Sequence, residues 1–361
     1  MQTGIVYHEN YLKHEQSPSH PERRERIAYT IDQLEEEGIW YDPSIRMISP
    51  RPATDEEVLA AHSERYLHFL KQSDPKGGII DINTYAPPGF LEYALLAAGG
   101  AVCAGESVLS GEVENAFAMV RPPGHHAGRN IGAGFCYFNN IAIMVRAIQA
   151  NGFKKVMILD WDAHHGDGTQ DIFYDDPDVL FTSIHQSHLF PGTGMVYETG
   201  SARGLGYSIN MPVPPGSSDD VYEMLMEEVI TPAAEEFRPD FIAISAGQDC
   251  HFTDPITLLA VTAHGYAKLM SSAAGIAGSL CAGRLAVVLE GGYGVEGALP
   301  YTNLGIIAAL AGMDLSQIRE PELYMPLFNS KRDPIAIRKA REMVVELKNI
   351  HRDHWEFASR S

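Results

Sequence analysis

With 361 residues, 45% of them hydrophobic, the chain can fill one large domain or two ordinary ones and bury a substantial core. Its 27 Lys and Arg stand against 47 Asp and Glu, and the resulting net charge of -20 disfavours nonspecific binding to nucleic acid or an anionic membrane, while a cationic substrate would be attracted. No run of 18 apolar residues occurs and the start, Met1 to His8, lacks a basic-then-apolar export pattern, so a soluble cytoplasmic protein is expected.

In chain order, an apolar run at 3–7 predicts a strand. Ile27, Ile31 and Leu34 then form a helical stripe after Ser19-x-x-Glu22, a capping-box pattern, and Thr54-x-x-Glu57 opens a second helix with Val58 and Leu59. The Pro- and Gly-rich stretch 74–89 reads as a surface loop, 88–110 as a helix, 115–120 as a strand and 138–151 as a helix. Strands follow at 155–160, 179–184 and 206–211, then a loop at 211–218, a helix at 219–237, a strand at 240–245, a helix at 258–281, a strand at 284–289 and a helix at 333–350. This alternation predicts an α/β fold. Runs such as Val156-Met157-Ile158-Leu159 are apolar at successive positions, as strands of a mainly parallel sheet covered on both faces should be. Cys103, Cys136, Cys250 and Cys281 are widely spaced and predict neither a disulfide framework nor a cysteine zinc knuckle. A single domain over 1–361 is expected, with 311–361 as a C-terminal helical extension.

Four polar segments follow four predicted strands: Arg121-Pro122-Pro123-Gly124-His125-His126, Asp160 to Gly168, Ser245-Ala246-Gly247-Gln248-Asp249 and Glu290-Gly291-Gly292-Tyr293. Ligand sites in open parallel sheets lie at the carboxyl ends of strands, so these segments should converge. Asp162 and His164, two apart on extended chain, can grip one ion from the same side, and Asp249 supplies a third ligand, leaving positions open for water and substrate as a catalytic zinc requires. Hydrolysis of an amide also needs a base, an acid for the departing amine and a donor for the oxyanion, needs that His125, His126 and Tyr293 match. Asp160 is assigned behind His125 and Asp167 behind His126, to set tautomer and orientation. Gly291 and Gly292 would let backbone approach the substrate.

The ordered segments R-P-P-G-H-H, D-W-D-A-H-H-G-D-G-T-Q, P-G-T-G, S-A-G-Q-D and E-G-G-Y, within residues 5–310, resemble the signatures of the histone deacetylase and acetylpolyamine amidohydrolase family, closer to the class II enzymes and their prokaryotic relatives than to class I. The resemblance implies an arginase-like, three-layer α/β fold with about eight mainly parallel strands. It also implies zinc, or ferrous iron, on Asp162, His164 and Asp249, and an acyl-lysine tunnel walled by Phe135, after Gly134, and Phe190. Potassium is implied at Asp160, Asp162, His164, Ser183 and Ile184, with a second site at Phe173, Asp176, Val179 and Tyr207. The chain departs from the family at Gln248 and at Cys250-His251-Phe252-Thr253, positions expected on the rim beside the metal. Polyamine-selective relatives in one branch carry a glutamate where Ile256 stands, and isoleucine cannot pair with a distant ammonium, so acyl-lysine in peptides or proteins is favoured over acetylpolyamines or other small acylated amines.

Two rivals come from other classes. A binuclear manganese ureohydrolase needs an acid where Gly166 stands and another beyond Asp249, where Cys250 and His251 follow. A non-catalytic acyl-lysine reader or scaffold needs no acid and base such as His125, His126 and Tyr293.

Overall fold

Strand Val156–Asp160 is buried at every position, and so are Val179–Gln186, Phe241–Ala246 and Leu285–Leu289. Only strands covered on both faces can carry such continuous apolar sequence. The protein is described from a computed structural model, which covers residues 2–17 and 19–359. Residues 1, 18, 360 and 361, the ends of the expected domain among them, lie outside the described residues.

The strands are β1 (Thr3–Val6), β2 (Ile45–Ile48), β3 (Gly78–Asp81), β4 (Thr84–Ala86), β5 (Asn115–Ala118), β6 (Val156–Asp160), β7 (Val179–Gln186), β8 (Ser208–Val213), β9 (Phe241–Ala246) and β10 (Leu285–Leu289). Among the described residues, eight make one sheet in the order β2-β1-β5-β10-β9-β6-β7-β8, while β3 and β4 form a separate antiparallel hairpin. Every neighbouring pair in the large sheet is parallel. Helices cover both faces, giving the three-layer α/β architecture, and one hydrophobic cluster runs from Ile5 to Ala358. The last long helix, Ala336–His351, packs on β8, and Trp355 Nε1 donates to the Gly206 carbonyl at 2.7 Å.

Several expectations need correction. The Ser19-x-x-Glu22 pattern is no capping box: the helix starts at Glu25, its N-cap Arg24 makes no side-chain cap, and Glu22 is fully buried. Thr54 does cap, accepting from Glu57 N at 3.2 Å while the Glu57 carboxylate accepts from Thr54 N at 2.8 Å. β2 escapes a search for apolar runs because it is an edge strand with Arg46 and Met47 exposed. The helix Leu299–Leu310 escapes for the opposite reason: it is apolar nearly all round and shows no stripe. The expected helix 219–237 contains a π turn at Met226–Ile230, just before Pro232, which cannot donate to the carbonyl four residues back.

Candidate active site

β5, β6, β9 and β10 are adjacent in the sheet, so the segments leaving their carboxyl ends meet. Asp162, two residues past β6, accepts from His164 N on Oδ1 and from Gly291 N on Oδ2, both at 2.8 Å. Asp249 Oδ1 accepts from Ala163 N at 2.8 Å. His164 Nδ1 then lies 2.9 Å from Asp249 Oδ2 and 3.1 Å from Asp162 Oδ1, and one donor atom of each of the three lies within 4.8 Å of the others. A side chain at Gly291 could not be accommodated, since its Cβ would sit 2.6 Å from both Asp162 Oδ2 and Asp249 Oδ2.

Asp162 and Asp249 are buried side by side, an arrangement that costs free energy unless a cation joins them. Burial first, and then the neighbouring Asp162 charge, push the Asp249 carboxyl up to about 6. Burial opposes protonation of His164, but its bonds to Asp162 and Asp249 outweigh it and raise its pKa to about 10. Two carboxylates and one imidazole on a buried, open-sided site fit a single zinc or ferrous ion. A third carboxylate at 166 has no room, because a Cβ on Gly166 would meet Asp160 Oδ2 at 2.3 Å.

The twin imidazoles face the same cluster. His125 Nδ1 lies 3.1 Å from Asp160 Oδ2, and its Nε2 lies 3.8 Å from Asp162 Oδ2. His126 Nδ1 lies 2.7 Å from Asp167 Oδ1, and the two ring centroids are 4.1 Å apart. Burial disfavours charge on His125, yet Asp162 and Asp160 overcome it and hold the ring well above its ordinary pKa. His126 goes the other way: burial, then repulsion from His125, lower it to about 4 despite Asp167. Neighbouring imidazoles pushed apart in this manner can divide proton transfer and charge stabilisation between them.

Tyr293, His126 and His164 line a cavity of about 160 Å³, with Phe135, Phe190 and Gly134 on its walls and Asn83 and Ile256 also on its lining. Phe135 holds a left-handed φ of +73°, rare for a bulky residue, and is pinned by Thr84 Oγ1, which accepts from its N–H at 2.8 Å, and by Gln16 Nε2, which donates to its carbonyl at 3.1 Å. Gly291 lines the cavity, whereas Gly292 turns its carbonyl to Arg26 Nε at 2.6 Å. Burial raises the Tyr293 pKa far above its ordinary value, so its hydroxyl stays a donor.

Some supporting residues carry no role in the sequence reading. Glu290 Oε2 accepts from the N–H groups of Gly124 and His125 at 2.7 and 3.1 Å, fixing the twin-histidine loop. Asp254 Oδ2 accepts from Tyr293 N at 2.7 Å. Arg26 also bonds the Glu290 carbonyl and lies 5.0 Å from the Tyr293 ring centroid. Glu22 joins Arg26 and Arg121 in a fully buried triad. Burial alone would raise the Glu22 carboxyl, but Arg121 and Arg26 outweigh it and bring it to about 2. Because this folded-state pKa is depressed, the stabilisation is present above the unfolded value and is lost as pH falls from about 4.5 through about 2. Glu22→Gln should lower stability by about 3–5 kcal/mol by leaving two buried guanidiniums poorly compensated, a loss measurable in the denaturant midpoint.

The departures from the family pattern turn away from the rim. Gln248 Nε2 donates to Asn303 Oδ1 at 3.0 Å, His251 Nε2 meets Glu320 Oε1 at 3.1 Å, and Phe252 packs edge-on against Phe328. The residues proposed for the first potassium site gather beside the cluster, with Asp160 paired to Ser183 across β6 and β7. Of those proposed for the second, Phe173, Asp176 and Val179 adjoin where the helix Asp167–Phe173 returns to β7, with Asp176 N donating to the Phe173 carbonyl and Val179 N to that of Asp176, while the Tyr207 carbonyl accepts from Phe181 N in β7.

Residues 20–305 match the model of the histone deacetylase domain. The chain is 59% identical over 357 residues to a probable deacetylase of Archaeoglobus fulgidus, covering 99% of each protein. It is 39% identical to a histone deacetylase-like amidohydrolase of Pseudomonas aeruginosa, covering 77% of this chain and 73% of the relative. Among solved structures, the HDA15 HD domain superposes with a TM-score of 0.87 at 32% identity, over 99% of this chain and 98% of that one. The arginase/deacetylase architecture and the matched sequence thus agree, and the chain belongs to the histone deacetylase family.

Proposed function

We propose that this chain is a single-domain, zinc-dependent deacylase that hydrolyses N-acetyl and related acyl amides, with acyl-lysine in peptides or proteins as its preferred substrate. The observation that carries the reading is the convergence of Asp162, His164 and both histidines on one cavity, with Asp249 completing the donor cluster beside the first two. Asp162, His164 and Asp249 would hold the ion, zinc or in its place ferrous iron, which when bound polarises the acyl carbonyl and acidifies water. His126, kept neutral, takes a proton from the attacking water and returns it to the departing amine. His125, bonded to Asp160, would steady developing negative charge, and the Tyr293 hydroxyl would donate to the oxyanion. Asp167 orients His126. Acyl amide and water become carboxylate and amine.

Phe135 and Phe190 would flank an unbranched alkyl stem, and Ile256 presents an apolar edge rather than a carboxylate where a distant ammonium would lie. The second reading, a deacetylase of acetylpolyamines or another small amine, draws on the net charge of -20. Side-by-side kinetics decide: kcat/KM for an acetyl-lysine peptide should exceed that for an acetylated diamine about tenfold or more, and the reverse order would overturn the preference. Potassium at the two further sites belongs to the same proposal. So does a cytoplasmic location, with which four free thiols are compatible.

A further inference from the structure

Ile256 is carried to the cavity mouth by residues 250–258, which follow directly on Asp249. Within this loop Asp254 Oδ1 accepts from Ile256 N at 2.9 Å, and the Thr257 hydroxyl bonds the Asp249 carbonyl. The outer side of the loop is held from elsewhere. Lys331 Nζ donates to the carbonyls of Asp254 and Thr257, at 2.8 and 2.9 Å, bracketing Ile256 from both sides in sequence. Phe328, on the same short helix Met325–Lys331, packs against Phe252 with ring centroids 5.4 Å apart, and Glu320 meets His251. These three holders all lie beyond the 20–305 span that matches the family model.

We propose that Lys331 is a specificity-determining positioning residue: by tying down the two carbonyls that flank Ile256, it fixes the apolar edge of the cavity mouth against which substrate outside the cavity rests. The inference builds on the acyl-lysine reading above. An ammonium bonded to two carbonyls makes charge-assisted bonds, stronger than neutral ones. Without them the loop samples more states in the free enzyme, and ordering it on binding weakens substrate affinity. The metal donors and His126 have further bonds, to Ala163, Gly291 and Asp167, and Asp254 meets Tyr293 N through its carboxylate rather than through the carbonyl that Lys331 holds, so binding should suffer more than the chemical step.

The test is steady-state kinetics of the zinc-loaded full chain on an acetyl-lysine peptide. Lys331→Met should raise KM about fivefold with kcat within about twofold, because uniform binding and not transition-state stabilisation is lost. Lys331→Arg, which can still donate to two carbonyls, should restore KM. In an Ile256→Ala background, Lys331→Met should change KM by less than about twofold, since the residue it positions is gone. Inhibition by acetohydroxamate, which reaches only the metal end, should stay unchanged. An unaltered KM in Lys331→Met, a KM increase of the same size in the Ile256→Ala background, or a joint fall in kcat and denaturant midpoint that Lys331→Arg does not restore would each overturn the inference. If Lys331→Met does not fold, Lys331→Gln, which retains one donor group, must show the same pattern at about twofold, and a wild-type KM there overturns it equally. Failure of the wild type to cleave the peptide would instead sink the acyl-lysine reading, so the two failures are distinguishable.

Discussion

Asp249→Asn should yield a folded protein that retains little zinc and turns over acyl-lysine at least about 10³-fold more slowly, because a bound ion lowers the pKa of its water from about 15.7 towards about 7. The substitution is nearly isosteric, and the asparagine oxygen can still accept from Ala163 N as Asp249 Oδ1 does at 2.8 Å. The other oxygen, facing His164 Nδ1 at 2.9 Å, becomes an amide NH₂ with no lone pair to offer a cation. Asparagine relieves the repulsion between two buried carboxylates but sets its NH₂ against His164 Nδ1, so the two changes oppose each other in the metal-free protein and should shift its stability by less than about 2 kcal/mol. Zinc content by elemental analysis, read beside the denaturant midpoint, separates loss of the ion from loss of the fold. Full zinc occupancy with normal turnover would remove Asp249 from the site.

His126→Ala should retain zinc and substrate affinity while kcat falls by about 10²–10⁴, the range for removing a positioned acid–base group. His126 is the better of the twin histidines to remove. Its partner Asp167 has a side chain 30% exposed, so water can solvate the carboxylate left behind. Asp160, behind His125, is fully buried, and His125→Ala would strand that charge and mix a folding defect with a catalytic one. A fall in kcat of less than about tenfold would mean that His126 carries no proton in the rate-limiting step.

The convergence of the four polar segments was legible because a parallel sheet brings the carboxyl ends of β5, β6, β9 and β10 to one edge, and each segment begins at or within three residues of the end of its strand. The pairing of Asp160 with His125 and of Asp167 with His126 followed from the need of buried imidazoles for acceptors, and the distances of 3.1 and 2.7 Å accord with it. The layer behind these residues was not legible. Glu22 meets Arg121 across 99 positions of sequence, and Lys331 meets Asp254 across 77, separations at which no local pattern survives. Glu22 even imitates a local signal, a capping box, that its burial contradicts. Gln248, His251 and Phe252 show the converse: their nearness to Asp249 in sequence suggested the rim, but the backbone turns them toward Asn303, Glu320 and Phe328.

In the proposed mechanism one Lewis-acidic ion and two imidazoles address the same acyl carbonyl, and anomalous diffraction at the zinc edge, from crystals of active protein, locates that ion. One peak is expected, bonded to Asp162, His164 Nδ1 and Asp249 with an open side toward the cavity between Phe135 and Phe190. Two adjacent peaks, or an active crystal with no peak among these three residues, would contradict it.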